Sequence, residues 1–375
     1  MMNCMTTASL SQTTLLRRAL DVFLPPHALD FWVRHLHPTW SRGRLLARVV
    51  ACRIEARGVV TLELKPNGHW QGHAAGQHVN VTAEVDGRRL SRSYSLSGVE
   101  HRPGCVSITV KHVGGGALSA YLCEQAQVGD VLQLGQAFGK MTWDPAPSGT
   151  WLFLSAGSGI TPFMGLIKAM SESSWPVRVR LVHWAGQRAE VCFKQALDEL
   201  AARDPRFSVQ WVLTREEYLL PGEEAGRLSQ DLLARVWPQG DQLGASTHVR
   251  ACGPVGFVQA AREAVADAPD FMAEAFSPWR APRADKAQGS KHVKVLLQRS
   301  ARTLDVPTDQ PLLEALRAQG VNPSSGCGMG ICHTCVCTKH EGSVTDTLTG
   351  TRQDEPGLPI RLCVSRACSD LSLDL

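Results

Sequence analysis

The stretch "CGMGICHTCVC" places Cys327, Cys332, Cys335 and Cys337 within eleven residues. So many thiols in so short a segment demand a tight loop wrapped around something, and three occupants compete. A zinc ribbon wants two C-x2-C pairs, and only Cys332 and Cys335 form one. A Rieske centre wants separated Cys-x-His and Cys-x2-His pairs, but His333 directly follows Cys332 and no second pair exists. Cys327, Cys332 and Cys335 instead follow C-x4-C-x2-C, and Cys363 in "RLCVS" supplies a distant fourth thiol. That spacing suits a 2Fe–2S cluster. Gly326, Gly328 and Gly330 carry no Cβ and let the backbone approach such a group closely. Zinc stays the alternative, and Cys337 is left as a packing residue.

The rest of the 375-residue chain bounds the possibilities. An apolar fraction of 43% with 20% charged residues is that of a globular protein. A net charge of +4 over this length argues against a nucleic-acid-binding role, which needs a concentrated basic face. No apolar run reaches the ~18 residues that a membrane helix requires. The first residues lack the basic, apolar and small-residue order of a cleaved signal, so a cytoplasmic location is expected. Leu15, Leu20, Val22, Phe23 and Leu24 could form a short amphipathic helix docked on the protein itself. In a reducing compartment the scattered cysteines read as small buried hydrophobes.

Composition divides the chain into an N-terminal extension (1–42), an all-β unit (43–147), an α/β unit (148–276), a linker (277–291) and a C-terminal unit (292–375). The first unit alternates apolar and polar residues in "GVVTLELKP", "GQHVNVTAEV" and "GCVSITVKHV", which predicts a barrel or sandwich. The second alternates strands such as "TWLFLSAGSG" and "VRVRLVHWA" with helical segments, which predicts a parallel sheet. "SPWRAPRADKAQGSK" has the Pro, Ala and charge of a linker. The expected fold class is therefore multidomain β and α/β.

Residues 292–375, with their cysteine loop, resemble a plant-type ferredoxin domain of β-grasp fold, whose ligands would be Cys327, Cys332, Cys335 and Cys363. Upstream, "RLSRSYSLS" followed by "GGGALSAYL" resembles the flavin barrel of the ferredoxin–NADP reductase superfamily. Taken alone, Arg92-Ser93-Tyr94-Ser95 also reads as an ordinary strand; the glycine run opening a helix adds a natural pyrophosphate site. The resemblance implies FAD, with Arg92 on the pyrophosphate, Tyr94 along the ring system and Ser95 near the flavin N5. It implies Gly115, Gly116 and Ser119 at the phosphates, and Lys111 with His112 near the flavin's middle.

"AGSGITP" resembles the nicotinamide-domain loop of the same superfamily, with Gly157 and Gly159 admitting the dinucleotide, Thr161 capping the helix and Pro162 in its first turn. "CGP" (Cys252, Gly253, Pro254) is similar to the segment beside the nicotinamide, and "EAF" (Glu274 to Phe276) to the residues that end the domain near the flavin. Ser95, Cys252 and Glu274 are thus the residues expected to act on hydride transfer. Arg188 and Arg215 follow the second and third strands of the α/β unit, where cations could meet a 2′-phosphate, so NADPH is expected, with NADH as the alternative.

The implied activity is an NAD(P)H oxidoreductase that passes electrons through FAD and the 2Fe–2S centre to an external protein. The extension "FWVRHLHPTWS" is similar to reductases of membrane fatty-acyl desaturases, which makes such a desaturase the expected partner. Alkane or aromatic-ring oxygenases are the alternatives. A stand-alone flavin and iron–sulfur oxidoreductase is another reading.

Overall fold

The computed structural model describes residues 38–237, 247–276, 291–325, 328, 330, 334–348 and 350–375. The expected N-terminal helix, nearly all of the linker, and Cys327 and Cys332 lie outside the described residues.

The alternating segments after residue 43 fold as strands β1 (Leu46–Ala56), β2 (Val59–Pro66), β3 (His78–Val85), β4 (Arg88–Ser95), β5 (Val106–Lys111) and β6 (Val131–Leu134). They form one antiparallel sheet in the order β4-β3-β6-β1-β2-β5. A bridge between Leu96 and Ile108 joins the chain just past β4 to β5 and curls the sheet towards a barrel. Its inner face is aliphatic: Val49, Leu62, Leu64, Val79, Val81, Ile108 and Val110 are all fully buried. Helix α1 (Ala117–Glu124) follows β5 and buries Leu118 and Leu122 against that core.

The α/β unit contains β7 (Gly149–Ala156), α2 (Thr161–Ser171), β8 (Val177–Ala185), α3 (Lys194–Arg203), β9 (Phe207–Leu213), β10 (Glu223–Ala225), α4 (Gln230–Val236), β11 (Thr247–Gly253), α5 (Val255–Ala264) and β12 (Asp270–Ala275). The strands are all parallel, in the order β10-β9-β8-β7-β11-β12. After β7 the chain winds out one way through β8 and β9; it later returns to place β11 on the other side of β7. The carboxyl ends of β7 and β11 therefore flank the crevice where open α/β sheets take ligands. The two units share a seam. Val59 and Met141 pack in one apolar cluster with Trp151, Phe153 and Phe163, and the Trp143 indole donates to the Leu166 carbonyl at 2.9 Å.

The C-terminal unit contains β13 (His292–Leu297), β14 (Arg302–Pro307), α6 (Leu312–Ala318), β15 (Val336–Glu341), β16 (Val344–Asp346), β17 (Arg352–Gln353), β18 (Leu358–Arg361), β19 (Ser365–Ala367) and β20 (Leu371–Leu373). A mixed sheet, β14-β13-β20-β15-β18, is covered by α6, whose Leu312, Leu313 and Leu316 are buried. The small sheet β17-β16-β19 is tied to β18 by the Arg361–Asp346 pair. Lys339 on β15 is completely buried, and its Nζ is satisfied there by donating to the Gly342 and Glu355 carbonyls, both at 2.7 Å.

Candidate functional site: a flavin, nucleotide and cluster relay

At the cluster end, the Sγ atoms of Cys335 and Cys363 stand 3.1 Å apart, and both side chains are buried. Cys335 immediately precedes β15 and Cys363 follows β18, its partner in the sheet, so strand pairing brings the two thiols together. Just upstream of Cys335, the backbone at Gly330 lies close to the segment that carries Cys363. Gly330 has φ +76°, and a Cβ there would meet the Val364 side chain at 3.0 Å and the Arg361 guanidinium at 3.3 Å. Arg361 donates to the Gly330 carbonyl at 2.8 Å and pairs with Asp346 at 2.5 Å, tying loop to sheet. Two converging buried thiols and a loop too close for a side chain fit a thiolate-held cluster. Cys337 points elsewhere, donating to the Thr338 carbonyl at 3.5 Å, and burial pushes its thiol up to about 11.

At the flavin end, Ser95 closes β4 and is buried, and its hydroxyl has no hydrogen-bond partner among the described residues. A buried hydroxyl left unpaired is costly, so the site fits a ligand that would satisfy it. Tyr94 is largely buried, and that burial pushes its phenol above the ordinary range. Arg92 is exposed and donates only to the Ser91 carbonyl beside it at 2.7 Å, which leaves its guanidinium able to take an anion. Ser93 instead donates to Asn80 at 2.6 Å. Gly115 and Gly116 lie in the turn opening α1, whose first residues have no side-chain cap. The Ser119 hydroxyl, expected at the phosphates, is engaged within that turn: it donates to the Gly116 carbonyl at 2.9 Å and accepts from the Val113 N–H at 3.2 Å. His112 pairs with Glu124 at 3.3 Å.

The nucleotide crevice is built by close backbone approach. Gly157 to Ile160 form a 3-10 turn after β7, and a Cβ on Gly159 would fall 2.0 Å from the Cys252 carbonyl oxygen. No other residue fits there. The expected cap at Thr161 is not formed: Thr161 is already the first residue of α2, and its hydroxyl donates back to the Ser158 carbonyl at 2.9 Å. The 3-10 turn running directly into the helix removes the extended residue that a side-chain cap needs. Pro162 does sit in the first turn. Pro254 leads into α5, and Gly253 accepts the Phe276 N–H at 2.9 Å.

Strand β12 was not legible in the sequence, and it matters. Its parallel register sets Glu274 beside Cys252. Burial, then the neighbouring Glu274 carboxylate, pushes the Cys252 thiol well up, so it stays protonated. The Glu274 Oε2 stands 3.0 Å from His78 Nε2 across the seam, although without hydrogen-bond alignment. His78 in turn pairs with Ser95 in the β3–β4 ladder and meets Phe276 edge-on at 5.7 Å. Ser95 and Glu274, far apart in sequence, thus meet at His78, with Cys252 beside Glu274; sequence reasoning missed His78. "GQHV" offers no hint of a partner supplied by another domain.

His183 supports the turn from behind. It pairs with Ser155 in the β7–β8 ladder and bonds its hydroxyl through Nδ1 at 2.8 Å. Complete burial, with the Lys111 charge nearby, lowers its pKa to about 3. A histidine held neutral in the fold favours folding above its ordinary pKa of about 6.5; that contribution is lost as pH falls from there towards 3. The full span is worth on the order of 4 kcal/mol. The unfolding temperature is expected to fall steadily between pH 6.5 and 4, and less steeply in His183→Gln, which a thermal melt series in the two proteins would check.

Lys111, expected beside the flavin, reaches across to the α/β unit: its Nζ is 3.5 Å from Glu190 and lies over Gly157. Of the two candidate 2′-phosphate arginines, Arg188 is already engaged. It makes a two-pronged contact with Glu223 at 2.8 and 2.6 Å and a longer one with Glu216 at 3.5 Å. Arg215 is 67% exposed and folds over Gly186, where a Cβ would collide with its guanidinium; among the described residues it pairs with Glu190 at 2.9 Å.

Three matches agree with this geometry. Residues 55–143 match the oxidoreductase FAD-binding domain family, 153–263 the oxidoreductase NAD-binding domain family, and 295–368 the 2Fe–2S iron–sulfur cluster binding domain family. The chain belongs to the reductases that join these three domains. An NADPH oxidoreductase of Mycobacterium tuberculosis is 31% identical over 366 residues, covering 96% of this chain and 92% of the relative. The ferredoxin reductase component of a 3-ketosteroid-9-alpha-monooxygenase from the same species is 33% identical, covering 80% and 84%. Phthalate dioxygenase reductase has the same fold, with a TM-score of 0.57 at 23% identity over 89% of this chain and 98% of that one. The protein is an NAD(P)H-dependent electron-transfer reductase using FAD and a 2Fe–2S cluster. Among the described residues no helix is long and apolar enough to cross a membrane.

Proposed function

We propose that this reductase draws on NADPH and serves a separate oxygen-activating iron enzyme as its electron supply. The observation that carries the reading is the thiol pair of Cys335 and Cys363, 3.1 Å apart in a chain that also holds a nucleotide crevice. When bound, FAD would supply the capacity to take two electrons as one hydride and give them up singly, and a 2Fe–2S cluster held by the cysteines would supply a one-electron carrier.

The chain's own residues would do the positioning. Gly159 lets the turn lie against Cys252, and the protonated, neutral Cys252 thiol packs the crevice floor without adding charge. Ser95 offers its unpaired hydroxyl to the flavin ring. Glu274 Oε2 and His78 Nε2, 3.0 Å apart and buried, would place two polar atoms beside the flavin in a spot closed to bulk water. Cys327 and Cys332 would join Cys335 and Cys363 as cluster ligands. Arg92, with the backbone of Gly115 and Gly116, would hold the flavin's phosphates.

NADPH is favoured by Arg215, exposed at the crevice edge, and by the similarity to the mycobacterial NADPH oxidoreductase. Arg215→Ala is expected to raise the KM for NADPH about 10-fold, since a charge-assisted contact is lost, with the KM for NADH little changed. Steady-state assays with both nucleotides test this; equal effects on the two would contradict it.

The acceptor reading is broader than a fatty-acyl desaturase. The similarity to desaturase reductases lies in "FWVRHLHPTWS", largely outside the described residues, whereas the steroid relative is a component of a monooxygenase. A monooxygenase partner is therefore preferred, and a membrane desaturase remains in the same chemical class. Mixing the NADPH-reduced protein anaerobically with a purified iron monooxygenase or an acyl-CoA desaturase should reoxidise the cluster within the turnover time of that enzyme. Reoxidation only by dioxygen would support a stand-alone oxidoreductase instead.

A further inference from the structure

Glu190 sits where cations from both nucleotide-facing units converge. Arg57 comes from the turn between β1 and β2, Lys111 from the end of β5, and Arg215 from the segment after β9. Their nitrogens lie 3.3, 3.5 and 2.9 Å from the Glu190 carboxylate oxygens. One carboxylate thus faces three cations. The adjacent Arg188 does not alter this, because Glu216 and Glu223 already engage it. Arg57 is fixed in place as well as attracted: its N–H donates to the Ala189 carbonyl at 2.9 Å and its guanidinium to Gln187 at 2.5 Å. Beside these charged side chains is a cavity of 430 Å3 lined by Arg57, Gln187, Arg188, Ala189 and Glu216. The cations are more than half exposed at Arg57 and Arg215, while Glu190 beneath them is 14% exposed.

Three cations around a single partly buried carboxylate, with Arg57 lining the neighbouring cavity and Lys111 close to Gly157, make an anion site whose occupant is internal. We propose that Glu190 is a built-in counter-ion that stands in for a dinucleotide phosphate, and that Arg57 of the flavin unit belongs to the nucleotide site. The inference rests on the reading that this crevice takes NAD(P)H. An arriving phosphate competes with Glu190 for Arg57, Lys111 and Arg215. When the oxidised nucleotide leaves, Glu190 takes the cations back, which keeps them ordered and weakens product binding. Like-charge repulsion between Glu190 and the phosphate is the source of that weakening.

Two substitutions in the full-length holoprotein separate this role from a structural one. Glu190→Gln keeps the shape and removes the charge, and it should lower the KM for NADPH and the dissociation constant of NADP+ by about 3- to 10-fold, the worth of one partly exposed charge. Arg57→Ala should raise both by a similar factor. NADH, which lacks the 2′-phosphate, should respond equally if the pyrophosphate is the competitor and less if the 2′-phosphate is. Flavin absorbance and unfolding temperature confirm that each variant is folded. A Glu190→Gln protein that binds NADPH more weakly, or unchanged, overturns the proposal, since a carboxylate that only holds the cations in place would be missed. A wild-type flavin that neither nucleotide reduces would overturn the function and this proposal together.

Discussion

Cys335→Ser is expected to abolish cluster reduction while leaving flavin reduction by NADPH intact. The Cys335 thiol faces Cys363 at 3.1 Å in a buried loop, and among the described residues these two mark the cluster position. Residues that merely support metal ligands are worth about 10- to 100-fold in metal affinity or activity, so losing a ligand should lower acceptor reduction by more than ~100-fold. The readouts separate cleanly. Flavin bleaching by NADPH is followed at its visible absorbance, and the reduced cluster by low-temperature EPR. Cys337→Ser is the matched control: this buried thiol is turned to the Thr338 carbonyl, and its loss should leave the EPR signal in place. A Cys335→Ser protein with an unchanged signal would remove Cys335 from the ligand set.

Gly159→Ala should act at the other end of the relay. The added methyl would fall 2.0 Å from the Cys252 carbonyl oxygen and 2.5 Å from its carbon, both backbone atoms that cannot swing aside. The turn must retreat by roughly 1 Å, and a misplacement of that size is worth about 100-fold in rate when it separates reacting groups. The kcat/KM for NADPH is expected to fall by about that factor, with the unfolding temperature lowered a few degrees by the local overpacking. Reduction of the cluster by dithionite should be normal, because the ferredoxin unit is untouched. Stopped-flow flavin reduction measures the effect directly.

What could be read from the sequence followed what is local. The alternating strands after residue 43 and the βα order after residue 148 each depend on neighbours a few residues apart, and each is present in the fold; of the cysteine pattern, Cys335 and Cys363 lie among the described residues. The α/β sheet was legible except at its edges. β10 is only three residues long, and β12 was recognised by its "EAF" ending without its strand. Side-chain partnerships across the seam were not legible at all. Nothing near His78 announces Glu274, and nothing near Arg57 or Lys111 announces Glu190; these pairs exist only because the β unit and the α/β unit pack on each other. Arg188 shows the opposite limit. Its position after β8 suits a 2′-phosphate, but Glu223, brought alongside by β10, already occupies its guanidinium. Thr161 was read as a cap by residue type, yet a 3-10 turn continuous with α2 leaves it no capping conformation.

The central claim is a relay from nicotinamide through flavin to the cluster on one chain, and an anaerobic titration of the purified protein tests it most directly. NADPH, and separately NADH, would be added stepwise while flavin absorbance and the low-temperature EPR spectrum are recorded. The account predicts rapid flavin bleaching followed by the signal of a reduced 2Fe–2S centre, at lower concentrations of NADPH than of NADH. Flavin bleaching with no cluster signal in iron-replete protein would contradict it, and would return the cysteine loop to zinc.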